Sequence, residues 1–103
     1  MIRHMVFLNY AEDMAQDMKD AILRDLAALQ TEIDGIEAFH AHANMSPETH
    51  FIHGFTEVFW FDFRDAGVRD AYLANDTHTA IGRRIMAGLN DDPNRIFVCD
   101  VAL

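Results

Sequence analysis

One run constrains this chain before anything else: from about His50 to Phe63, large apolar side chains occupy both odd and even positions. Read as a strand, it sets Phe55, Glu57, Phe59, Phe61 and Phe63 on one face and Val58 and Trp60 on the other. A sheet wetted on one side alternates apolar and polar residues. This strand does not, so it asks for apolar cover on both sides. The opening segment repeats the demand. Ile2, His4, Val6, Leu8 and Tyr10 share one face, with Arg3, Met5, Phe7 and Asn9 opposite.

The rest of the chain supplies cover for one side only. Met14, Met18, Ile22, Leu26, Leu29 and Ile33 form a stripe at helical spacing, Asp13 and Gln16 have the spacing of a capping box, and Gly35 ends the helix. Ile36 to Met45 reads as a second strand, closed by a turn at Ser46-Pro47-Glu48. After the Phe-rich strand, Asp65 caps a short helix carrying Val68 and Tyr72. Asn75-Asp76-Thr77 breaks that helix and starts another, with His78, Ile81, Ile85 and Leu89 along one face. A turn at residues 90–94 leads to a last strand, Arg95 to Leu103.

The predicted order is β-α-β-β-α-β, with the second helical region in two pieces. That is the α+β, ferredoxin-like split βαβ pattern, an antiparallel four-stranded sheet with helices on one face. Residues 1–103 are expected to make one domain, since this length suits a single core. The uncovered face, with Met5, Phe7, Val58 and Trp60, is an association surface in waiting. A closed two-fold homodimer, sheet against sheet, is its simplest cover.

Composition excludes several partners. The net charge is −9, from 8 basic and 17 acidic residues. That sign argues against nucleic acid, whose binding needs a basic footprint, and against anionic lipid. No apolar run approaches the ~20 residues needed to cross a bilayer. The alternating N-terminus reads as a strand and not as a signal peptide. A lone Cys99 inside an apolar strand predicts a small buried hydrophobe and a reducing, cytoplasmic setting.

Several segments together resemble the stress-responsive A/B barrel (Dabb) family. They are Ile2-Arg3-His4-Met5-Val6-Phe7, Gly35-Ile36, Asn44-Met45-Ser46-Pro47-Glu48, Gly54-Phe55-Thr56, and Tyr72-Leu73 followed by Asp76-Thr77-His78. The resemblance spans nearly the whole chain. It implies a dimeric α+β barrel with a small pocket between sheet and helices in each subunit. In the family's plant polyketide cyclase, a tyrosine and a histidine near the second helical region perform aldol cyclisation, and Tyr72 and His78 match those positions. His4 matches the family's strand-one histidine. The chain departs from that cyclase at Glu57, where it has a histidine, at Asn75-Asp76, where the family often has His-Pro, and at His42, in place of a common strand-two glycine.

In such a fold His4, Glu57, Tyr72 and His78 are expected to converge on the helix-facing side of the sheet. His4 and Glu57 lie on neighbouring strands, where a hydrogen bond between them would fix the imidazole tautomer. Tyr72 is suited to donate its proton to a carbonyl or developing enolate, and His78 to act as base on the adjacent carbon. A helix start beneath His78 would favour its neutral form. Phe59 is expected in the pocket wall, and Gly82, one turn after His78, leaves room beside the helix.

The expected function is therefore a homodimer that binds a small, largely apolar organic ligand. Whether it also runs cofactor-free acid–base chemistry of a cyclase, lyase or isomerase kind stays open at this level. Two other readings stand beside it. One is a non-catalytic stress or interaction protein whose phenylalanines fill the pocket. The other is a metal-binding dimer using His40 and His42 on strand two with His50 and His53, although no defined ligand set is visible and no metal site is assigned. No nucleophile elbow or glycine-rich phosphate loop is present, and no cofactor is called for.

Overall fold

The computed structural model describes residues 1–103. The elements are β1 (Ile2–Leu8), α1 (Gln16–Glu32), β2 (Ile36–Ala43), β3 (Glu57–Phe63), α2 (Ala66–Ala74), α3 (Asp76–Gly88) and β4 (Ile96–Ala102). The strands form one antiparallel sheet in the order β2-β3-β1-β4. The two strands with apolar residues on both faces, β1 and β3, are thus its centre. That is where a side chain has a neighbour on every side. The ferredoxin-like α+β arrangement expected from the sequence is the one observed. None of the helices is long and apolar enough to cross a membrane.

The helix-facing side holds the core. Val6 pairs with Phe59 and His4 with Phe61 across β1 and β3. Val6, Leu8, Phe59, Phe61 and Phe63 are buried under Ile22, Leu26 and Leu29 of α1, Val68 and Tyr72 of α2, and Ile81 and Ile85 of α3. Helix α1 packs on β2 and α3, and α2 packs on β1 and β3; no helix packs comparably on β4. Gly35, between α1 and β2, has φ +96°, and a Cβ there would come within 2.5 Å of Val68 Cγ2. Only glycine fits both the turn and the close approach of α2.

The opposite face has no helix over it, and the connection after β2 reaches only its Phe7–Phe97 end. Register places Met5 and Phe7 of β1 beside Trp60 and Val58 of β3, with Cys99 and Phe97 of β4 on the other side. His40 and His42 of β2 stand over Trp60, at 5.3 and 5.4 Å between ring centroids. Arg3 makes a two-pronged ion pair with Asp62, at 2.8 and 3.1 Å, which holds the Asp62 carboxyl below the usual range, chiefly through the hydrogen bond. Phe97 is 54% exposed in the single chain.

Three local expectations need correction. Asp13 and Gln16 form no capping box: Ala15 is the N-cap and makes no side-chain bond, while the Gln16 side chain donates to Asp20 one turn on. Met18 falls outside the buried stripe and is exposed, because the helix starts later and its core face is set by Ile22, Leu26 and Leu29. The Phe-rich strand begins only at Glu57. Residues 44–56 are a connection, pinned where the Asn44 side chain donates to the Phe55 carbonyl and accepts from the Ser46 amide. Phe55 therefore escapes the strand's alternation and turns to the outer face, beside Phe97.

Candidate functional site

The site is assembled by the break between α2 and α3. The Asp65 carboxylate accepts from the Val68 amide and starts α2, which buries Val68 and Tyr72 one turn apart. Asn75 then serves both helices. Its backbone N–H donates to the Tyr72 carbonyl, and its side-chain oxygen accepts from the His78 amide at 2.9 Å to begin α3. The chain so bent lays the His78 ring on Tyr72, with centroids 3.9 Å apart. Both capping roles match the sequence expectation.

From the sheet, His4 meets Tyr72 edge-on at 5.5 Å. Its other neighbour is new. Asp100 of β4, opposite His4 in the register, places Oδ1 2.6 Å from His4 Nδ1. A carboxylate only accepts, so Nδ1 is the donor in this bond. The second Asp100 oxygen accepts from Arg69 at 3.2 Å, and Arg69 also grips Asp70. Three charged groups thus hold one buried imidazole in place.

Because no helix covers β4, a cleft of about 680 Å³ opens between that strand and α2 and α3. His4, Phe59, Tyr72, His78 and Gly82 all line it. Its walls are otherwise largely apolar, with Val98, Leu73 and Met86 left 43–50% exposed there. A Cβ on Gly82 would meet nothing within 4 Å, so the missing side chain is open space. The volume falls in the ~300–1,000 Å³ range of small-molecule sites.

The electrostatics separate the two histidines. His78 Nδ1 is buried with no hydrogen-bond partner. Burial, followed by the nearby charge of His4, lowers the His78 pKa, against a smaller opposing pull from the Tyr72 backbone. The expected cause was the helix end; desolvation is the larger one. Burial alone pushes the Tyr72 phenol well above its ordinary range, so it stays a proton donor.

Glu57 does not join this site. In an antiparallel pair the start of β3 meets the end of β1, so Glu57 stands opposite Leu8, while Phe61 stands opposite His4. Glu57 instead binds Lys19 at 3.0 Å, beside Tyr10, in a separate pocket of about 170 Å³. Burial, then the Glu57 charge, pushes the Tyr10 hydroxyl up to about 12. The residue that reasoning from the sequence missed is Asp100. The alternation Ile96, Val98, Asp100 and the antiparallel pairing of β4 with β1 were the available signals. His40 and His42 share the outer face as expected, stacked 6.4 Å apart, but no three His, Cys, Asp or Glu side chains gather anywhere in a metal-holding group.

Known proteins resemble this arrangement throughout. A dimeric ferredoxin-like protein of unknown function from Jannaschia sp. CCS1 is 24% identical, with a TM-score of 0.87 over 99% of this chain and 98% of that one. A hydroxynitrile lyase from Passiflora edulis is 17% identical, with a TM-score of 0.82 over 99% and 92% of the two chains. A Dabb family protein from Mesorhizobium loti is 19% identical, with a TM-score of 0.73 over 99% and 95%. At these identities the likeness establishes the fold alone. No curated protein matches the sequence. The stress-responsive A/B barrel domain model matches residues 2–102, and the chain belongs to that family.

Proposed function

We propose that the chain works as a homodimer, sheet against sheet, and that each cleft binds a small, largely apolar carbonyl compound and moves a proton on the carbon beside the carbonyl without a cofactor. The dimer rests on the bare outer face and on relatives described as dimeric, including the Jannaschia protein. The chemistry rests on one observation above the others: a neutral-leaning His78, its buried Nδ1 unpartnered, stacked on Tyr72 at the wall of an open cleft.

In this reading His78 takes the proton from carbon, since its imidazole is held in the base-competent form. Tyr72 donates a hydrogen bond to the oxygen as charge moves onto it, and its high pKa keeps the proton available. His4, locked by Asp100, lines the same space and supplies a second proton carrier on the sheet side. Enolate formation of this kind opens aldol cyclisation and keto–enol isomerisation. A hydroxynitrile lyase shares this fold, which supports an enzymatic use of it.

Deuterium exchange of the α-protons of phenylacetone in D2O, followed by proton NMR, tests it. The wild-type chain is expected to speed exchange, His78→Ala to abolish the effect, and Tyr72→Phe to reduce it about 10²-fold, the usual effect of removing one such donor. Exchange at the buffer rate with all three would overturn the catalytic reading. Sedimentation at micromolar concentration checks the dimer, with Phe97→Asp expected to yield monomers.

A further inference from the structure

The cleft carries a charge pattern that proton transfer on a neutral ketone does not use. Besides Tyr72, its ionisable lining residues are His4, Asp100, Arg69, Asp70, His78 and Arg83. Both oxygens of Asp100 are taken, one by His4 and one by Arg69. Arg69 spends Nε and Nη2 on Asp70 and Nη1 on Asp100. These four groups therefore satisfy one another. His78 is held neutral by its surroundings, which leaves Arg83.

No acid of the chain pairs with the Arg83 guanidinium; Arg24 and Arg95 are unpaired too, but of the three only Arg83 lines the cleft. By contrast Arg84, the next residue, is tied to Asp25 at 2.6 Å. An unpaired fork of five donors at the mouth of an apolar cleft, on an otherwise acidic molecule, is a recognition element for an anion. Placement agrees: Thr79, Gly82, Arg83 and Met86, at spacings of three and four along one face of α3, all line the cleft, and a Cβ on Gly82 would meet nothing within 4 Å.

We propose that the ligand of this cleft is an organic anion: an apolar body lying against Val98, Leu73 and Met86, its carbonyl end at His78 and Tyr72, and a carboxylate held by Arg83. The proposal rests on the cleft reading above and adds the ligand's charge to it.

Two probes of equal shape test it: 3-phenylpropionate and its neutral amide, titrated into the full-length chain while the His78 ring is followed by NMR. The carboxylate is expected to bind about five- to tenfold more tightly than the amide, as a charge-assisted contact at a partly exposed site allows. Arg83→Gln should erase that preference, Arg83→Lys should keep part of it, and added salt should weaken the carboxylate more than the amide. Equal affinity for the two probes in the wild type overturns the anion and leaves the cleft reading standing. A preference that survives Arg83→Gln overturns the role of Arg83. If neither probe moves the His78 ring, the cleft reading fails and the anion with it.

Discussion

The helix-facing side of the sheet contains polar groups at two ends, and they behave oppositely. At one end Glu57 meets Lys19 at 3.0 Å beside Tyr10, in a pocket of about 170 Å³. At the other, His4, Asp100, Tyr72 and His78 border a cleft of about 680 Å³. In the first the chain answers its own charges. In the second it leaves the His78 Nδ1 atom without a partner. The cause is topological: α1 lies over β2 and the Glu57 end, while no helix shields the edge strand β4. Under the helix the polar groups pair off in a small pocket; beside the bare edge strand His4, Asp100 and Arg69 pair as well, but the His78–Tyr72 stack borders open space.

Tyr72 gives the sharpest test of that division, because it belongs to both the core and the cleft. Its ring is 1% exposed and packs on Phe61 and Phe63. Tyr72→Ala is expected to cost ~3–5 kcal/mol in chemical denaturation, the usual loss for a buried aromatic. Tyr72→Phe should cost less than ~1 kcal/mol, because burial and not a partner within the chain governs the hydroxyl. A large loss in the Phe variant would mean that the hydroxyl is structural.

Truncating one acid at each end comes next. Asp100→Ala strips the partner from an imidazole whose side chain is 6% exposed, and should cost ~1–3 kcal/mol in the same measurement. Glu57→Ala leaves Lys19, whose long stem can carry its charge to water, and should cost ~1 kcal/mol or less. The reverse order would break the comparison.

The smallest expected effect is on pH dependence. His78 ordinarily titrates at 6.5, and its folded value is lower. Above 6.5 it is neutral in both states and costs nothing. Below 6.5 the unfolded chain binds the proton first, so stability falls as pH drops from 6.5 to the depressed folded value. His78→Asn should flatten that part of the profile in thermal unfolding scans from pH 7.5 to 5. A histidine NMR titration should show His78 protonating below 6.5.

How far the chain was legible follows from which contacts are local. Alternation along β1 correctly set His4, Val6 and Leu8 inward. Asp65 and Asn75 announced the two helix starts, because a cap bonds within three residues. The capping box at Asp13 failed because the same spacing occurs in turns. Phe55 was put on the wrong face because alternation holds only inside a strand, and nothing local marks Glu57 as the first paired residue. Among the site residues, Tyr72, His78, His4, Phe59 and Gly82 could be placed together by spacing and family likeness, whereas Glu57 could not be excluded without the register.

The sequence by itself determined a four-stranded α+β sheet, its two-sided apolar centre and its family, since periodicity and capping act over a few residues. Only the tertiary structure decided that Asp100, and not Glu57, is His4's partner. It also decided that the space beside β4 stays open. Both depend on groups 31 to 96 residues apart meeting through strand register and helix placement, and no local pattern encodes that geometry.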